Sequence, residues 1–348
     1  MAKNTTQVNC RKTDAQFDYE TEEFIIPIRS RVKTKTGRFR NIALPAYIEF
    51  RLRPGKELFM HIQEQPAISV DGVAFKYNPT SDSNMQQDPS AFEGWAVCLM
   101  AWLPEKIARV CLKWDKPSAR NEHYNRFLFR VFRFGQLFDW FSVDEANHSE
   151  LETFSNNLDN LTINSSGKVP ERKSNLENST EYDFIHTPEL ASQIKQCDDI
   201  NNLDHQLPVG VQQKGKQFFT GTRSAIDMWG RNNKTLTVIE LKCGNMMVGI
   251  ITELFFYACV MSAVAKGEIM LGEECHVPYE ADLYKHIREI KAINAEMLTD
   301  LYHPLVDNEK VTEILNLNHS DTESVHIHFG MTTFSLNRET NELTIPCK

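Results

Sequence analysis

Apolar positions along this 348-residue chain change their spacing several times, and each change marks an expected element. From Phe24 to Ile68, β-branched and aromatic residues alternate with polar ones between Gly and Pro. That alternation predicts strands at FIIPIRSRVKT, RFRNIALPAYIEFRL and ELFMHIQEQPAI, with a turn at Thr36-Gly37. A loop at YNPTSDSNMQQDPS precedes a strongly apolar segment, Gly94 to Leu103. Between about Ser118 and Phe141, the residues Tyr124, Phe127, Leu128, Val131, Phe134 and Phe138 recur at helical spacing and form one stripe. From about Glu152 to Asp183 the chain turns rich in Asn and Ser, too poor in apolar surface to offset its ordering entropy.

After that stretch, Thr187-Pro188-Glu189 has the cap and first-turn residues of a helix start. LPVGVQ predicts a short strand, and SAIDMWG and LTVIELK two longer ones. An apolar helix from about Val248 to Ala265, a second helix from about Pro278 to Leu301, and short strands at SVHIHFG, TTFSLN and ELTIPCK complete the pattern. The expected fold class is α+β with two domains: a β-rich one over residues 20–150, and an α/β one with a mixed sheet over 184–348. Residues 151–183 are expected to be a polar linker, and those before about 20 to be frayed.

Composition narrows the partners. A 41% hydrophobic content supports a true core, and a net charge of -9 argues against a uniformly basic nucleic-acid binder while leaving room for a local basic surface. Eight cysteines with no CxxC pair argue against a zinc ribbon. Gly249, Thr252 and Glu253 interrupt the longest apolar run, which points to a buried helix rather than a membrane span. No apolar leader opens the sequence, so reduced thiols and a cytoplasmic location are expected.

The chemistry is concentrated between Ser224 and Lys242. Glu240 and Lys242 are two apart on one strand and share a face. If the strand carrying Asp227 pairs with it as a hairpin, two carboxylates and an ammonium converge. Paired carboxylates repel unless a divalent cation lies between them, and hard oxygen donors favour Mg²⁺ or Mn²⁺. Such an ion acidifies water and stabilises charge on a phosphate, while a lysine beside it orients or deprotonates the attacking water.

The string ID-(x)12-ELK, followed by a helix containing ELFFYA, resembles the core of the PD-(D/E)XK nuclease superfamily. The resemblance covers about residues 185 to 265 and implies a restriction-endonuclease-like core that hydrolyses DNA with Mg²⁺ or Mn²⁺, in restriction, phage defence or repair. It implies Asp227 and Glu240 as metal ligands, the Leu241 carbonyl as a further ligand, and Lys242 as the catalytic lysine. An acid on the preceding helix is expected at Glu189, with Glu181 as the alternative. Glu253 stands where many members carry a glutamine, four residues before Tyr257, so it either binds metal or faces solvent. A non-catalytic nucleic-acid-binding or assembly protein on the same fold is the other reading, and a homodimer or partner protein is compatible with either.

Nucleic-acid contacts are expected from two basic groups. Arg29, Arg31, Lys33 and Lys35 share one face of a predicted strand, with Arg38, Arg40, Arg51, Arg53 and Lys56 following. Arg126, Arg130 and Arg133 recur at i, i+4 and i+7. Gly210-Val-Gln-Gln-Lys-Gly215-Lys216 imitates a P-loop, but Gln217 replaces the metal-binding hydroxyl and no helix follows, so Lys214 and Lys216 are read as phosphate contacts or solvated lysines. His326 and His328 share a strand face and are read as structural or exposed.

Overall fold

The computed structural model describes residues 12–31, 42–69, 71–164, 175–219, 224–244, 246–272, 281–322, 324–337, 340 and 342–345. Its centre is a five-stranded mixed sheet. The strands are β1 (Asn202–Pro208), β2 (Ala225–Asn232), β3 (Thr235–Lys242), β4 (Ala292–Thr299) and β5 (His326–Thr333), in the spatial order β5-β4-β3-β2-β1. β3, β4 and β5 run parallel, while β2 is antiparallel to both β3 and β1. The helices used below are α1 (Phe92–Trp102), α2 (Glu122–Leu137), α3 (Leu176–His186), α4 (Pro188–Cys197) and α5 (Gly249–Lys266).

Alternation along β3 feeds two cores. Leu236 and Val238 join a large core on the α5 face, whereas Ile239 and Leu241 join a smaller one with Phe184, Leu190 and Ile194 from α3 and α4. α5 is apolar and long enough to cross a bilayer by composition, but 94% of it is buried inside the protein. It packs against β3 and β4, as a crossover helix between parallel strands must.

The large core draws residues from both halves of the chain, including Phe50, Trp95, Phe127, Ile163, Phe255 and Phe329. The first half contributes a four-stranded sheet, Ile48–Arg53, Glu57–Ile62, Arg109–Trp114 and Phe141–Val143, together with α1, α2 and the helix Glu145–Ser155. It is therefore mixed α/β rather than β-rich. The polar stretch expected as a linker carries the end of that helix, the strand Leu161–Asn164 and most of α3, and Ile163, Thr180 and Glu181 are buried.

Two elements differ in type from expectation. FIIPIR, predicted as a strand, lies in consecutive helical segments, Asp14–Glu20, Thr21–Ile25 and Ile26–Arg31. In a strand Phe24, Ile26 and Ile28 would share a face; here Phe24 and Ile28 are fully buried while Ile26 is 55% exposed, the i, i+4 pattern of a helix. The segment Pro278 to Leu301, predicted as one helix, gives in its described residues the short helix Ala281–His286 and a turn of 3-10 helix before becoming β4. AINAEMLT is rich in helix formers, yet its apolar residues fill the slot between β3 and β5, and tertiary packing overrides propensity.

Candidate active site

The site lies at the C-terminal end of β3, where the hairpin with β2 opens. β2 and β3 pair from Met228↔Ile239 to Asn232↔Thr235. One step further along that register Asp227 faces Glu240, and opposed residues of an antiparallel pair present side chains on one face. Here the Asp227 carboxylate takes the place of a main-chain acceptor: its Oδ2 receives the Leu241 N–H at 2.9 Å. The expected hairpin therefore forms, and it brings the two acids together.

Lys242 is 5% exposed and ringed by acids. Its Nζ stands 2.5 Å from Glu240 Oε1, 3.1 Å from Glu253 Oε2 on α5, and 3.8 Å from Glu177 Oε1 on α3. Burial alone would lower the lysine's pKa, but Glu240, Glu253, Asp227 and Glu177 together outweigh it and hold the ammonium well above its ordinary range. Burial pushes Asp227 up to about 7, against the pull of Lys242 and with further upward pressure from Glu181, Glu177 and Glu253. Glu240 is raised by burial and then by Asp227 and Glu253. Its Oε2 is buried with no hydrogen-bond donor. Tyr257, buried beside the same acids, is also raised.

Of the two acids expected on the preceding helix, Glu181 is the one whose charge bears on Asp227. Glu189 is exposed on the first turn of α4. Glu181 is 2% exposed and bears electrostatically on Asp227. It accepts hydrogen bonds from His205 Nδ1 at 3.1 Å and from Gln206 Nε2 at 2.8 and 2.9 Å. Consecutive strand residues normally point to opposite faces. Gln206 has φ +53°, a left-handed conformation rare outside glycine, and the side chains of residues 205 and 206 meet one carboxylate. Glu177, one helical turn before Glu181, completes the acidic face of α3 and was not foreseen, although the Glu-x₃-Glu spacing was visible in the polar stretch.

A second buried layer fixes α5. Thr252 donates to Glu93 Oε2 at 3.0 Å, and Arg130 Nη1 pairs with the same oxygen at 3.0 Å. Burial raises Glu93 to about 7 despite Arg130. The start of α5 carries Gly249 because a Cβ there would lie 1.9 Å from the Gln86 carbonyl oxygen. The Gln86 amide, with its nitrogen turned inward, donates to Glu253 Oε1 at 2.5 Å and Oε2 at 3.2 Å. Neither Gln86 nor Glu93 is marked by any motif in the sequence.

Among the described residues, the basic groups divide between ion pairs, buried positions and exposed turns. Lys33, Lys35, Arg38, Arg40 and the Thr36-Gly37 turn lie outside the described residues. Arg29 and Arg31 sit on a helical turn, where Arg29 donates to the Ile42 carbonyl and Arg31 pairs with Glu105. Arg51 pairs with Glu49, and Arg53 with Glu57 and Asp144. Arg126 and Arg130 are buried, so their stripe faces the interior; Arg133 pairs with Glu268. They lie inward because the Glu93 carboxylate and the acids at β3 need cations there. Burial, then repulsion from Arg130, brings Arg126 down to about 10. Lys214 and Lys216 are exposed on a β-hairpin turn in a separate sheet, and among the described residues no helix directly follows it. His326 and His328 are exposed on the edge strand β5.

Among the described residues no three His, Cys, Asp or Glu side chains already stand in metal-holding geometry. The donors at β3 nevertheless fit a hard divalent cation. Asp227 and Glu240 supply oxygens, Glu240 Oε2 has no donor, and both acids are raised by burial and by repulsion from neighbouring carboxylates that a cation would relieve. Mg²⁺ commonly takes only one or two carboxylates and keeps several waters. No family model, curated protein or solved structure matches the chain.

Proposed function

We propose that the protein is a metal-dependent nuclease of the PD-(D/E)XK kind that hydrolyses DNA phosphodiesters with Mg²⁺ or Mn²⁺. One observation carries the reading: Asp227, Glu240, Glu253, Glu177 and Glu181 act on one another around a single ammonium, Lys242. Five acids around Lys242, with the buried Arg126 and Arg130 bearing on Glu253 alone among them, leave an excess of negative charge that calls for a further cation. A divalent ion on Asp227, Glu240 and the Leu241 carbonyl would supply a Lewis acid for the phosphate and an acidified water.

This chain's own residues do the rest. Lys242, kept charged by its neighbours, neutralises charge that builds on the phosphate oxygens during attack. Glu181, held by His205 and Gln206, adds a fixed negative potential beside Asp227. The choice of DNA over RNA follows the resemblance.

The second reading is a nucleic-acid-binding or assembly protein without catalysis. It is favoured by Lys242 already sitting on Glu240 and by the lack of a ready three-residue cage among the described residues. Plasmid, linear and single-stranded DNA and RNA, incubated with Mg²⁺ or Mn²⁺ and then with chelator, separate the two. Metal-dependent cleavage that is lost in Asp227→Ala and Lys242→Ala supports the nuclease. No metal-dependent cleavage of any substrate supports the second reading.

A further inference from the structure

We propose that Glu240 is shared between the Lys242 ammonium and a divalent cation, and that Glu253 and Glu177 are the seat that keeps the ammonium in the site when the cation takes Glu240. The inference rests on the nuclease reading for the presence of a cation, and it gives Glu253 a role distinct from metal ligation.

The geometry points to competition. Lys242 makes its closest contact to Glu240, whose other oxygen has no donor and whose carboxyl group neighbours that of Glu253. An ammonium and a divalent ion on one carboxylate repel each other, so occupancy by one weakens the other. The lysine is enclosed, and the other anions in reach are Glu253 at 3.1 Å and the partly exposed Glu177 at 3.8 Å. Releasing Glu240 thus moves the ammonium toward those two, still within the site.

Glu253 is built to stay in place while this happens. Its helix begins against Gln86, with Gly249 permitting the approach, and the neighbouring Thr252 is tied to Glu93 and so to Arg130. The Gln86 amide covers both Glu253 oxygens, and Lys242 meets Oε2 from the other side. A carboxylate already accepting from an amide and an ammonium has few lone pairs left for a metal. Glu253 and Glu177 are therefore positioning residues for Lys242.

A double-mutant cycle read by Mn²⁺ calorimetry on the full chain tests this. Lys242→Met is expected to bind Mn²⁺ about tenfold more tightly than wild type, since the competitor is gone. Glu253→Gln is expected to bind several-fold more weakly, because the ammonium then leans harder on Glu240. In the Lys242→Met background, Glu253→Gln is expected to change affinity by less than about twofold. An equal loss in both backgrounds would show that Glu253 acts on the metal independently of Lys242 and overturn the proposal, as would Lys242→Met binding no tighter than wild type. Should Lys242→Met fail to fold, Lys242→Ala takes its place in the cycle, and binding no tighter than wild type in that variant equally overturns the proposal. Metal-dependent cleavage with a flat cycle sinks this inference alone. Absence of both Mn²⁺ binding and cleavage sinks the nuclease reading with it.

Discussion

Replacing Arg130 by methionine removes the cation from a fully enclosed ion pair, and the cost should depend on pH in a defined direction. Arg130 is 1% exposed and Glu93 0%. The guanidinium also donates to the Ser90 carbonyl at 3.0 Å and its hydroxyl at 3.2 Å. Glu93 titrates near 7 in the folded protein against an ordinary 4.5. A raised acid contributes stability that is complete below its unfolded pKa and is lost as pH climbs through the folded value. In wild type that loss is about 3 kcal/mol, from a gap of about 2.5 units at ~1.4 kcal/mol each. Without Arg130 the acid is raised further, so the loss continues past pH 7. Arg130→Met is expected to cost about 3–5 kcal/mol at pH 8, where a buried carboxylate loses its counter-ion. At pH 5.5 Glu93 is protonated in both proteins, and only the stranded Ser90 groups and lost contacts remain, about 1–3 kcal/mol. Urea unfolding of both proteins at the two pH values, in chelator, measures the difference. A destabilisation equal at both, or larger at pH 5.5, refutes the reasoning.

Gly249→Ala places a methyl 1.9 Å from a backbone oxygen and is expected to cost about 1–3 kcal/mol in a thermal melt; a melting temperature equal to wild type contradicts the close approach. Glu189→Ala is expected to leave cleavage unchanged, while Glu181→Gln lowers it about tenfold or more; equal losses in steady-state assays would contradict the placement of Glu181. Asp227 is raised to about 7, so its contribution to stability without metal is lost as pH rises through that value. Mn²⁺ should therefore raise the melting temperature more at pH 8 than at pH 5.5, and the reverse order would contradict it.

The chemistry was legible where local pattern decides it. LTVIELK is apolar enough to be a buried strand, and the gap back to Asp227 is hairpin length, so the junction of two acids and a lysine follows from alternation alone. The aromatic stripe of α2 was legible for the same reason: Tyr124, Phe127, Leu128, Val131, Phe134 and Phe138 are all buried. Residues whose role depends on distant partners were not legible. Arg130 looks like a surface arginine until Glu93, thirty-seven positions away, turns it inward. Gln86 reaches Glu253 only through the packing of one half of the chain on the other. β4 was hidden because its Ala, Glu, Met and Leu favour helix, and only its neighbours in the sheet make it a strand.

The most direct measurement is anomalous diffraction from a crystal soaked in Mn²⁺. A peak bonded to Asp227 and Glu240 at about 2.0–2.6 Å, with the Lys242 ammonium shifted toward Glu253 and Glu177, is the expected result. Density showing Lys242 still on Glu240, with no ion between the two acids at saturating Mn²⁺, would contradict it.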